Sequence, residues 1–191
     1  MYVRILLVNG SPAGADSANG RLLRALPLLS DASSEGGSGP EWTTALDLSS
    51  LPLFTPGRLT AGRPPVVEAF AQAVASADAV VISTPEYAHN VPAALKSALE
   101  WLVASGELAG TPVVAMTATP APPRGEHCMR SLVATLRAMD ARVVVEMPVY
   151  SVAAKLAPDG SVADAELREE LSAMMELIQG AAGRLPHTHP S

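Results

Sequence analysis

The segment TPEYAHNVP (84–92) sets a carboxylate, a phenol, an imidazole and an amide between two rigid prolines. A connection that only turned the chain would use Gly, Asn or Asp. This one follows an apolar, β-branched run and precedes residues of helical period, and loops of that kind are where open parallel sheets bind ligands. Its flat and polar side chains suit a planar heterocycle. A second loop, NGSPAGADSAN (9–19), has Gly10 for a tight exit, hydroxyls at Ser11 and Ser17 and the amide of Asn19, and then opens a helix. Free N–H groups at a helix N-terminus, with neutral donors beside them, can hold a phosphate dianion. Ordinary capping by Ser17 and a strand-exit role for Ser11 account for the same residues.

Five strand-like runs must position these loops: RILLVN (4–9), WTTALDL (42–48), AVVIST (79–84), PVVAMT (112–117) and RVVVEM (142–147). Helical segments at 17–29, 64–76, 92–104, 126–140 and 164–182 separate and follow them; Met129, Leu132, Val133, Leu136 and Met139 show the 3.6-residue period best. Continuously apolar strands alternating with helices demand a parallel sheet covered on both faces. The expected fold is therefore α/β, a flavodoxin-like three-layer sandwich with a five-stranded parallel sheet of order 2-1-3-4-5. One domain is expected over residues 1–182, with 183–191 a disordered tail. SDASSEGGSGPE (30–41) reads as a mobile surface loop, and PLFTPGRLTAGRPP (52–65) as a long connection that folds over a site or a subunit neighbour, or is an ordered surface loop.

Composition narrows the partners. A net charge of -6 and a pI near 5.2 leave no basic stripe to neutralise nucleic-acid phosphates. No apolar run approaches the roughly 20 residues that span a bilayer, and MYVRILLVNGS enters a strand with no cleavage site, so a cytoplasmic protein is expected. The lone Cys128 excludes an internal disulfide and a multi-cysteine metal site, and reads as a small core residue. G-x-x-x-x-G-K-[ST] and G-x-G-x-x-G are both absent, which removes the NTPase cradle and the nicotinamide-dinucleotide fingerprint. Asn9 and Thr84-Pro85 stand where a phosphorylated receiver domain would need acids.

A strand followed by GS…SxN and a helix, then a strand followed by TPEYxxxVPxxLKxxLEW, resembles the NAD(P)H-dependent FMN reductase family, flavodoxin-like enzymes that include quinone, azo-dye and chromate reductases. The resemblance covers nearly the whole chain. It implies that Ser11, Ser17 and Asn19 hold the FMN phosphate, that Pro85, Glu86, Tyr87 and Asn90 border the isoalloxazine with Tyr87 packing on it, and that Thr117, Thr119 and Gly125 approach its pyrimidine edge. Pro12 and Ala13 stand where the family often has a basic residue; Arg21 or Arg124 supplies that charge or is simply solvated. Leu95 and Trp101 read as core or subunit-interface residues, and His89 as a substrate contact or a solvent-facing side chain.

The implied activity is hydride transfer from NADH or NADPH to FMN and on to a small-molecule acceptor such as a flavin or quinone, in a homodimer or homotetramer with the flavin near the subunit boundary. The cofactor carries such chemistry, so the absence of an acid-base triad is no objection. The competing reading is a non-enzymatic FMN protein, an electron carrier or a redox sensor.

Overall fold

The central strands form where the chain is apolar for four or five positions in a row. In a computed structural model, which describes residues 2–33 and 39–183 with the side chains of 32 and 33 excepted, these are β1 (Arg4–Asn9), β3 (Ala79–Thr84) and β4 (Pro112–Thr119), with β3 and β4 buried at every position. Two shorter or more exposed strands, β2 (Glu41–Thr44) and β5 (Arg142–Tyr150), complete a parallel sheet of order β2-β1-β3-β4-β5. The helices are α1 (Ala18–Ser33), α2 (Pro56–Thr60), α3 (Pro65–Ser76), α4 (Ala93–Leu102), α5 (Glu126–Ala138), α6 (Val152–Lys155) and α7 (Ala165–Ala182).

The two-residue period of a strand sends alternate side chains to opposite faces. Ile5 and Leu7 join a core with Leu22 and Leu26 of α1 and Leu171 and Ile178 of α7. Leu6 and Val8 join a second core with Phe70 of α3, Leu95 and Leu99 of α4 and Leu132 of α5. The three-layer flavodoxin-like sandwich and its strand order are as expected.

Some boundaries differ from expectation. The strand expected over 42–48 is only Glu41–Thr44, because Asp47 accepts a hydrogen bond from the Ser49 N–H and starts a 3-10 turn at Leu48–Ser50. Helix α1 runs past 29 and through Pro27 to Ser33, so residues 30–33 are helical rather than loop. Proline costs this helix one internal bond, but Leu22, Leu26 and Leu29 keep one buried face continuous across it. Glu41, the end of that expected mobile loop, opens β2, while its residues 34–38 and the expected tail from residue 184 onward lie outside the described residues. Strand β5 continues to Tyr150, with a bulge opposite Val113 and Val114 and with Glu146 and Pro148 on its exposed side, features that discourage edge-to-edge pairing.

The connection over 52–65 is a strap fastened to α4. Trp101 lies fully buried and donates from Nε1 to the Pro52 carbonyl at 2.8 Å. Phe54 sets its ring edge-on to that indole at 5.3 Å between centroids, and its N–H donates to Ser97 Oγ at 2.8 Å. Arg63 closes the far end through Glu107 Oε1 at 2.6 Å and the Trp101 carbonyl at 3.2 Å. Trp101 is thus a core residue, as is Leu95. Replacing Trp101 with Phe keeps most of the ring but leaves the half-buried Pro52 carbonyl without its donor, so a loss of about 1–2 kcal/mol is expected in urea unfolding; a loss below about 0.5 kcal/mol would show that the strap is held by packing alone.

Candidate functional site

The loop after β1 is built by its own side chains. The Gly10 N–H donates to the Ser83 carbonyl at 2.8 Å, and a Cβ at Gly10 would meet Leu95 Cδ2 at 2.7 Å and Thr84 Cβ at 2.9 Å, so the turn admits only glycine. Asn9 accepts from the Ser11 N–H at 3.1 Å and donates from Nδ2 to the Gly14 carbonyl at 2.8 Å. Ser11 Oγ accepts from the Ala13 N–H at 3.3 Å. Ser17 Oγ donates to the Gly14 carbonyl at 2.7 Å and accepts from the Gly20 N–H at 3.1 Å, which is helix capping. Asn19 is 2% exposed, and its Oδ1 accepts from Ser83 Oγ at 2.8 Å; Nδ2 is the donor it has left. The N–H groups of Ala18 and Asn19, at the start of α1, find no partner within the helix itself.

After β3 the chain makes a tight turn. Tyr87 and Asn90 exchange two backbone hydrogen bonds of 2.9 Å around Ala88 and His89, both of positive φ, at 49° and 60°. That is the geometry of a primed turn, which ordinarily selects Asn-Gly, and the left-handed region costs a residue with a Cβ roughly 1–2 kcal/mol. Asn90 directs Oδ1 to the Val91 N–H at 2.8 Å and Ser131 Oγ at 2.6 Å, away from the turn and toward α5. Tyr87 stands 48% exposed.

Glu86 spans the gap to the next loop. Its side chain is 9% exposed; Oε2 accepts from the Cys128 N–H in the first turn of α5 at 3.1 Å, and Oε1 lies 3.4 Å from His89 Nδ1. Burial pushes its carboxyl upward, but the N–H groups of Cys128 and Gly125 and the charges of His89 and His127 together outweigh that and hold it below the ordinary carboxylate range. Cys128 donates from Sγ to the Pro85 carbonyl at 3.4 Å, and burial first, then the Glu86 charge, pushes its thiol up to about 12. It is a core residue, as expected, and no nucleophile at neutral pH.

The loop after β4 completes the opposite wall. Thr119 Oγ1 donates to the Arg124 carbonyl at 2.9 Å. Gly125, at φ 97°, turns the chain into α5 so close to Thr117 that a Cβ would come within 2.9 Å of Thr117 Oγ1. Thr117 is fully buried, and its Oγ1 has no hydrogen-bond partner among the described residues. Between the walls lies a cleft of about 450 Å³ lined by Pro85, Glu86, Tyr87, Ala88, His89, Ala118, Thr119, Pro120 and Arg124.

Of the residues singled out from the sequence, Pro85, Glu86, Tyr87 and Thr119 share this cleft. Thr117 and Gly125 do not line it but pack on each other next to Thr119, and Asn90 ties the third loop to α5 through Ser131. Ser11, Ser17 and Asn19 occupy the adjoining loop, joined to β3 through Ser83. Asn9 and Ser83, which organise that junction, were not singled out as site residues; the available signal was a polar residue near the carboxyl end of each otherwise apolar strand. A separate cavity of about 350 Å³ lies on the other side of the first loop, against Thr44–Asp47 and Arg24.

A family model described as NADPH-dependent FMN reductase matches residues 3–156. The chain belongs to this family. The matched span contains every loop described above. A quinone reductase of Escherichia coli (strain K12) is 36% identical over 131 residues, which are 67% of this chain and 66%, just under two thirds, of that relative. A protein of Oryza sativa subsp. japonica named "Probable NADPH:quinone oxidoreductase 2" is 28% identical over 96% of this chain and 90% of its own length. Among solved structures, the flavoenzyme NAD(P)H:(acceptor) oxidoreductase FerB from Paracoccus denitrificans has the same fold, with a TM-score of 0.75 at 23% identity over 94% of this chain and 98% of its own.

Two measurements test the geometry of the third loop. Because the folded-state pKa of Glu86 lies below its unfolded value, its contribution to stability is complete above roughly pH 5 and is lost as the pH falls through the folded value. Glu86→Gln should therefore cost about 1–2 kcal/mol at neutral pH, and the gap from wild type should close on acidification; a gap independent of pH in urea titrations would remove the carboxylate from this role. Ala88→Gly relieves the left-handed strain and should raise stability by up to about 1 kcal/mol. A destabilised Gly variant would mean that the Ala88 methyl is held by packing.

Proposed function

We propose that the protein binds FMN and reduces a small-molecule acceptor, such as a quinone or flavin, at the expense of NADH or NADPH. The observation that carries this reading is the flat-walled cleft of about 450 Å³ beside a donor-bearing loop, in a chain of the FMN reductase family. That volume lies in the range of small-molecule sites. The residues fit the cofactor: Pro85, Tyr87, Ala118 and Pro120 offer apolar surfaces to a planar ring system, Thr117 has an uncommitted hydroxyl beneath Gly125, and Ser11, Ser17, Asn19 and the first N–H groups of α1 surround the place for a phosphate monoester.

Bound FMN supplies the hydride acceptance and its onward delivery. The chain's part is binding and placement. Ser17 fixes the first turn of α1, so its N–H groups are preorganised for an anion. Asn9 and Gly10 hold that loop against β3. Glu86 keeps the cleft walls at a set spacing, and Tyr87, exposed at the cleft mouth, covers one side of the ring. No side chain is required as acid or base: Glu86 is engaged by α5 and Cys128 stays protonated. A homodimer or homotetramer with Tyr87 near the subunit boundary, working in the cytoplasm, completes the proposal. No helix among the described residues is long and apolar enough to cross a membrane.

Calorimetric titration with FMN, FAD and riboflavin tests the cofactor. FMN should bind about tenfold or more tighter than riboflavin, which leaves the phosphate donors unpaired; equal affinities would sink the phosphate placement. Anaerobic NADH or NADPH should then bleach the bound FMN, and a quinone added afterwards should restore its colour. Bound FMN that neither nucleotide bleaches would make the protein an electron carrier or sensor instead.

A further inference from the structure

The arginines of this chain are, with two exceptions among the described residues, committed to partners. Arg4, Arg24, Arg63, Arg130 and Arg137 face carboxylates, while Arg58, Arg142 and Arg168 donate to backbone carbonyls. Arg21 and Arg124 have no such side-chain partner. Arg21 lies in a groove beside Asp159 and Gly160, whereas Arg124 lines the flavin cleft. Its backbone is pinned, the carbonyl by Thr119 Oγ1 at 2.9 Å and the N–H by the Ala121 carbonyl at 3.1 Å, so the guanidinium projects from a fixed root.

The charge of Arg124 is also left uncompensated by its neighbours. Among the described residues Glu86 is the only carboxylate lining the cleft, and it is turned to the N-terminus of α5 and to His89. Glu126, two residues along, faces Arg130 at 3.9 Å. A neutral acceptor entering here strips water from the guanidinium and returns nothing, while an anion returns a charge-assisted, potentially bidentate pair. His89, 75% exposed on the opposite wall, adds a second possible donor.

The geometry points to Arg124 as the residue that selects acidic quinones, those bearing an ionised ring hydroxyl or a carboxylate, as acceptors. This rests on the flavin reading given above. In the net reaction the quinone takes the hydride of NAD(P)H and one solvent proton to become the hydroquinone, and the nucleotide leaves oxidised; a carboxylate substituent keeps its charge, whereas an ionised ring hydroxyl, no longer a vinylogous acid, takes a second solvent proton and leaves as a neutral phenol.

The test compares 2-hydroxy-1,4-naphthoquinone, an anion at neutral pH because its hydroxyl is a vinylogous acid, with neutral 2-methyl-1,4-naphthoquinone on the FMN-loaded protein. The ratio of kcat/KM for the anion to that for the neutral quinone should fall about tenfold in Arg124→Gln and be largely kept in Arg124→Lys. Equilibrium dialysis of the hydroxynaphthoquinone against oxidised FMN-loaded protein should show the same loss, and added salt should weaken that binding in wild type more than in Arg124→Gln. An unchanged ratio overturns the proposal, as does a changed NADPH-to-NADH preference with the acceptor ratio intact, which would assign Arg124 to the nucleotide phosphate. Failure of the flavin reading shows itself separately, in wild type that does not retain FMN or whose FMN is not bleached, and overturns both.

Discussion

Glu86 leaves β3 behind Pro85 and ends on the first turn of α5, where the Cys128 N–H donates to its carboxylate. The first N–H groups of a helix lack internal partners and carry the positive end of its dipole, so an anion there is stabilised by position alone. This anion comes from the neighbouring loop. The contact therefore joins two connections that the sheet only places side by side, and it sets the distance between the walls of the cleft. Asn90 repeats the device through Ser131, and Cys128 Sγ adds a third tie to the Pro85 carbonyl.

The first loop is held by different means. Gly10 bonds directly to β3 and leaves no room for a side chain. Ser83, one position from the end of β3, reaches Asn19 in α1. At Gly20 a Cβ would fall 2.3 Å from the Ala15 carbonyl oxygen, so loop and helix close on each other at backbone distance. The strap over α4 lies apart from these ties. Its anchor points, Ser97 and Trp101, are buried on the helix that Pro92 opens, so it supports the third loop by fixing the helix that follows.

Strands β1 and β3 are legible to the residue because nothing polar interrupts them, and the sheet order follows from their alternation with helices. Strand β2 is not, because Ala45 and Leu46 are apolar in sequence while the Asp47 cap already dictates a turn. Helices α2 and α6, five and four residues long, are too short to show a period. In the site, the unusual composition of residues 84–92 marked the loop correctly, yet it carried no sign that Glu86 and Asn90 serve α5, since those partners lie 42 and 41 residues away. Ser17 was legible in both its possible roles, and the structure displays the capping one. Arg124 was visible only as one charge among several; its lack of a partner is a tertiary fact.

Most local choices agree with the fold; Asp140 and Ser151, both of positive φ, and the buried Trp42 Nε1 are scattered exceptions, while a cluster of others marks one place. Ala88 and His89 occupy left-handed backbone where Asn-Gly would be unstrained, Thr117 keeps a buried hydroxyl without a partner, and Arg124 keeps a charge without one. All of them lie at the carboxyl ends of β3 and β4 or in the loops that follow. A stable scaffold tolerates such inconsistencies where the groups concerned meet something that is not part of the chain. Glu86 shows the converse. Its lowered pKa, often a mark of catalysis, here follows from hydrogen bonds and charges that hold the loops together. The groups with chemistry to offer a ligand are the unsatisfied ones, and the carboxylate of the cleft is already in use.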